Sequence, residues 1–131
     1  MSILSAITGG LRSPSRIRHN GKRLSEILAA HAKFVRGDET GVRADLAGAN
    51  LSRADLHKMN LAYVNLQGAN LTRANLREAK LASVDFGKAK LHRADLRKAD
   101  LQGANLTRAD LRNARLDGAN LEDAILTGVI R

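Results

Sequence analysis

A leucine recurs at every fifth residue from Leu46 to Leu126, once replaced by Phe86, which gives seventeen centres in an unbroken run. Two residues before each centre stands a small or apolar residue, usually alanine, as at Ala44, Ala49, Ala54 and Ala69, with Met59 and Val64 as larger variants. The residue between the two is mostly Asp or Asn. Five residues turn an α-helix by about 500°, so successive leucines would lie roughly 140° apart and form no apolar stripe. In a straight strand five is odd, and half of the leucines would face water. The period therefore demands a chain that turns once per repeat and winds around its own leucine column. Asp, Asn and Gly, poor helix formers that tolerate turns, recur between the centres at fixed phase, as at Gly48, Gly68, Gly103 and Gly118.

The run Ala-Asp-Leu-Ala-Gly-Ala-Asn-Leu-Ser-Arg from Ala44 to Arg53, and its continuation, resembles the pentapeptide-repeat family, whose motif reads A(D/N)LXX. The resemblance covers about two-thirds of the chain. It implies an all-β solenoid, a right-handed quadrilateral β-helix in which four repeats make one coil of twenty residues; the period alone does not set the number of sides. Seventeen repeats would make a little over four coils, about 20 Å long at about 4.8 Å per coil.

Ahead of the repeats the period changes. Leu24, Ile27, Leu28, His31, Phe34 and Val35 occupy one face of an amphipathic helix, with Ser25 or Asn20 to cap its start and Gly37 to end it. The stretch from Leu24 to Gly37 is similar to a short helix that precedes the repeats in some family members. The expected organisation is a basic flexible leader over 1–21, a capping helix within 22–37 and the β-helix over 38–131, all in one structural domain. The helix would cover the apolar, unpaired end of the first coil. His31 is expected to be partly buried and hydrogen-bonded near that coil.

Charge is placed unevenly. Of a net +9, the first 25 residues hold Arg12, Arg16, Arg18, Lys22 and Arg23 with no acid. Their segment, with Ile3, Leu4 and Ile7, lacks the compact apolar core and cleavage site of a secretory signal, and reads as a tail rather than an organellar transit peptide. There is no cysteine, which is compatible with the expected cytoplasmic location.

With twenty residues per coil, positions twenty apart stack. Arg53, Arg73 and Arg93 fall in one column, and the next side carries Lys58, Arg77, Arg97 and Lys98. These seven residues, with the leader cations, are the candidate docking surface. The alternative is that the arginines splay into water and pair with nearby Asp and Glu. The Asp and Asn column needs no ligand, because stacked Asn can bond its neighbours and Asp can support turns. His57 and His92 lie about two coils apart and make no metal pair. No phosphate-binding loop, metal-ligand spacing or nucleophile with a base occurs, so the expectation is a non-enzymatic protein with no cofactor.

The reading of function is an interaction scaffold that offers a basic side to an acidic protein. The alternative is direct binding of nucleic acid or anionic membrane through the same side and the leader. The resemblance also raises inhibition of DNA gyrase by DNA mimicry, but the basic charge runs against it. At the far end Ile125, Leu126, Val129 and Ile130 form an apolar patch through which two copies could meet as a homodimer.

Overall fold

The computed structural model describes residues 10–131. Each pentapeptide closes a turn in which the alanine N–H donates to the preceding leucine carbonyl, as from Ala54 to Leu51 at 3.0 Å. The third residue of each turn has positive φ, +57° at Arg53 and +68° at Gly48, while the second does not. That is the type II pattern. The Asp or Asn before the leucine folds back to accept from the backbone two residues on, as when Asn70 Oδ1 accepts from the Thr72 N–H at 3.1 Å.

These turns bring the chain round once in four repeats. Parallel bridges join Asp45 to Asn65, Asn50 to Asn70 and so on at twenty-residue spacing up to Asp110 with Ile130. Between coils the Leu46 N–H donates to the Asn65 carbonyl at 2.8 Å, and the Asn65 N–H donates to the Ala44 carbonyl at 3.2 Å. The leucines from Leu46 to Leu106, Phe86 among them, are buried together with the alanines and valines two places earlier. Met59 is half-buried against this column. Large and small side chains thus alternate around one narrow core that every coil shares.

Ahead of the coils the described residues form four small elements. After a 3-10 turn at Pro14–Arg16 come β1 (Arg18–His19), β2 (Lys22–Arg23) and helix α1 (Leu24–Val35). β1 and β2 pair Arg18 with Arg23 and His19 with Lys22 around Asn20-Gly21, both with positive φ. Asn-Gly at that position is the preferred sequence of a two-residue hairpin turn. Neither Ser25 nor Asn20 caps the helix: its N-cap is Arg23, without a side-chain bond, because Asn20 is committed to the hairpin. Gly37 does end it, at φ +81°. Its N–H donates to Phe34 and that of Asp38 to Lys33, the paired bonds of a Schellman motif. The returning chain then passes so close that a Cβ on Gly41 would collide with the Phe34 backbone nitrogen.

The leader differs from the expected flexible tail wherever it is described. Arg12 forms a parallel bridge with Ala54: its N–H donates to the Arg53 carbonyl at 2.7 Å and its carbonyl accepts from Asp55 at 2.9 Å. Ile17 is buried with Leu24. The physical reason lies in the open edge of the first coil, which offers unpaired backbone groups and an apolar floor; the leader satisfies some of both. Ile3, Leu4 and Ile7 lie outside the described residues.

Candidate docking surface

Arg53, Arg73 and Arg93 each occupy the third position of a turn, with φ of +57°, +60° and +59°, and all three are exposed. Their N–H groups donate to Thr72, His92 and Arg112 in the coil above, which holds the column in register. None of the three guanidinium groups forms an ion pair among the described residues. In water, two like charges about 4.8 Å apart repel by about 1 kcal/mol. Coil stability does not explain why this column is arginine.

The neighbouring side behaves differently. Arg97 grips Asp95 with two bonds, Nε to Oδ1 at 2.9 Å and Nη2 to Oδ2 at 2.7 Å. Lys58 lies 3.7 Å from Glu78, and His57 Nδ1 lies 2.7 Å from Asp55. On the arginine side itself, one coil above Lys90, Arg112 grips Asp110 as Arg97 does Asp95. These pairs show in the acidities: the Arg97 hydrogen bonds hold the Asp95 carboxyl below its usual range, and the Arg112 side chain brings Asp110 down to about 2. The rule is positional. In Asp-Leu-Arg the acid and the arginine flank one inward leucine and meet outside it, whereas an arginine one residue further on, at the third position of the turn, does not pair among the described residues. Arg77 follows Asn75 rather than an acid, and it and Lys98 make no ion pair.

Structure therefore divides the seven candidates. Arg53, Arg73, Arg93, Arg77 and Lys98 form no ion pair among the described residues, while Arg97 and Lys58 are matched by acids of this chain. Lys90, exposed and stacked over Asn70 on the arginine side, joins the free set. It is not among the seven candidates read from the sequence, although the same twenty-residue spacing places it. That column is internally satisfied: the Asn65, Asn75 and Asn120 amides each donate to the Asp one coil below at 3.1 to 3.2 Å.

Of the leader cations, Arg12 is tied down, its Nη1 donating to the Ser52 carbonyl at 3.0 Å. Arg18 donates to the Gly21 carbonyl, and Arg16, Lys22 and Arg23 are exposed. At the other end Ile125 and Ile130 are 49% and 48% exposed, while Leu126 and Val129 are half-buried against the core. The surface hollow lined by Gln67, Asn105 and Thr107 is made of groups that already pair, Gln67 with Asp85 and Thr107 with Asn105. Among the described residues no cluster of three or more His, Asp or Glu could hold a metal ion, and no helix is long and apolar enough to cross a membrane.

Four turns per coil, a leucine core and bridges at every twentieth residue define a β-solenoid of five-residue repeats. The sequence matches the family described as Pentapeptide repeats in eight copies, over residues 42–77, 60–97 and 89–128, and the chain belongs to that family. Its members fold as right-handed quadrilateral β-helices and are generally non-enzymatic. A crystal structure of a pentapeptide-repeat protein, Rfr23, from the cyanobacterium Cyanothece 51142 is 41% identical, with a TM-score of 0.69, over 72% of this chain and 64% of that one. A pentapeptide-repeat protein of the Arabidopsis thaliana thylakoid lumen is 34% identical, with a TM-score of 0.63, over 66% of this chain and 60% of its own. One from Nostoc Pcc 7120 is 38% identical, with a TM-score of 0.60, over 70% and 71%. The chain thus spans less than two-thirds of the length of the first two. No curated protein matches it.

Proposed function

We propose that this chain is a non-enzymatic interaction scaffold whose rod presents Arg53, Arg73 and Arg93, with Lys90 beside them, to an acidic protein surface. One observation carries the reading: these stacked arginines have no acid partner, while Arg97 and Arg112 on the same rod each hold one bidentately. A docked carboxylate surface would relieve the repulsion within the column and form charge-assisted hydrogen bonds. The rigid backbone ladder fixes the spacing of the arginines before the partner arrives, which lowers the ordering cost of binding. The sign of the face is opposite to that of a DNA mimic.

The test is a pull-down at near-physiological salt, nuclease-treated and untreated, comparing the native chain with the combined variant Arg53→Glu, Arg73→Glu, Arg93→Glu. Glutamate is compatible with the fold at this turn position, as Glu78 at φ +57° demonstrates. The expected result is an acidic protein, retained after nuclease treatment and lost from the variant. Nucleic acid lost from the variant instead would transfer the face to phosphate binding, with a steep salt dependence. Equal recovery from both would remove the column from function.

A further inference from the structure

His31 is the one buried polar side chain among the described residues, at 0% exposure. It projects from α1 into the first coil and bonds that coil at two points. Its Nδ1 accepts from the Ala44 N–H at 2.9 Å, so in the neutral ring Nε2 carries the proton and donates to the Ala62 carbonyl, also at 2.9 Å. Ala44 and Ala62 lie at the two ends of the same coil, on the residues where it opens and closes. The Phe34 ring, one helical turn on, sits 5.6 Å from the imidazole.

This arrangement suits one protonation state only. A second proton would stand on Nδ1, where the Ala44 N–H already points, setting donor against donor in a buried site. Arg43, on the segment entering the coil, brings a positive charge to bear on the ring. Lys22 on β2, Glu26 on α1 and Asp45 on the coil border the neighbouring surface groove with Arg43.

We propose that His31 is an acid-sensitive latch: when its ring is protonated, the N-terminal cap, α1 with its hairpin, lets go of the first coil while the coils above stay wound. Burial, reinforced by Arg43 and opposed by the Ala62 bond, holds the ring's pKa below its ordinary value. The sign follows from that direction. Because the folded pKa is depressed, the latch is at full strength above the unfolded imidazole value of about 6.5, and weakens as pH falls from there toward the folded value. The closed-to-open ratio falls about tenfold for each pH unit between those two values. The other histidines do not share this setting: His19 bonds Asn20, His57 bonds Asp55, and His92 donates from Nδ1 to the Arg112 carbonyl at the surface.

Hydrogen exchange on the full chain tests the latch, with protection factors corrected for the intrinsic pH dependence of exchange. The Ala44 amide should lose protection as pH is lowered through the imidazole range, by about tenfold for each pH unit between the ordinary and the lowered pKa, while the Leu91 and Asp95 amides in the middle coils keep theirs. His31→Gln offers an amide oxygen and an amide N–H but cannot be protonated, so its cap should hold equally at both ends of that range. An NMR titration of the native His31 ring keeps the test decisive if the glutamine variant packs poorly: its midpoint must lie below the ordinary imidazole value of about 6.5. Unchanged Ala44 protection in acid, the same loss in His31→Gln, or an ordinary His31 midpoint would each overturn the proposal.

Discussion

Replacing Leu81 with Asp places a carboxyl group in the middle of the core. Leu81 is fully buried, and its counterparts one coil below and above, Leu61 and Leu101, are buried as well. Loss of the leucine side chain removes about 2 kcal/mol of burial. The carboxyl would have no partner in the column, so it would stay protonated. Holding an aspartic acid neutral at about pH 7, some three units above its unfolded pKa, costs about 4 kcal/mol. An unbonded neutral carboxyl adds about 1 to 3 kcal/mol. The sum, about 7 to 9 kcal/mol, reaches the total stability of an ordinary domain, about 5 to 15 kcal/mol. The expected result is an unfolded or barely folded chain near neutrality by circular dichroism. Its folded pKa is raised, so the ionisation part of the penalty vanishes below the unfolded pKa and grows as pH rises. At about pH 4 Leu81→Asp should therefore be nearly as stable in urea melts as Leu81→Asn, which has no ionisable group, and at about pH 7 it should fall about 4 kcal/mol behind it or be unfolded where Leu81→Asn is not. If the two variants were equally stable at both pH values, the inward placement of residue 81 would be wrong.

Gly68 has φ +65° with nothing within 4 Å of a Cβ built on it, so Gly68→Ala tests backbone conformation without crowding; it should destabilise by about 1 kcal/mol in urea melts. The Asp110 carboxyl should titrate near pH 2 by NMR in the native chain, and Arg112→Gln should move that midpoint up toward an ordinary aspartate. Far-UV circular dichroism should be dominated by the coil, with a smaller helical contribution from the twelve residues of α1.

The core was legible because its two residue classes repeat with the backbone that positions them: each Ala-X-Leu writes one wall of the coil. The period did not contain the number of sides, since turns of other angles would also return each leucine inward; that came from the family motif. α1 was legible from the spacing of Leu24, Ile27, Leu28 and His31, and its end from Gly37. The hairpin was missed despite Asn20-Gly21, because its strands are only two residues each and read Arg-His and Lys-Arg, without an alternating apolar face. The seating of Arg12 and Ile17 could not be read locally, as their partners are an edge and a floor formed some forty residues later. On the candidate face the columns followed from counting in twenties, but the ion pairs did not. Those depend on whether an arginine lies immediately after the leucine, as Arg97 does, or one residue further on at the third position of the turn, as Arg93 does.

Two different rulers act along this rod: the core counts in fives and the surface in twenties. An insertion of one pentapeptide after Lys80 would leave every leucine inward, yet move all later residues one side around. Arg93 would then leave the column of Arg53 and Arg73 for the one that holds Lys58 and Glu78. An insertion of four pentapeptides would lengthen the rod by one coil and keep Arg93 in its column. Gain or loss of repeats in such a chain can therefore shuffle the outward faces against one another with little disturbance to the interior, so that a binding surface is recomposed by length alone.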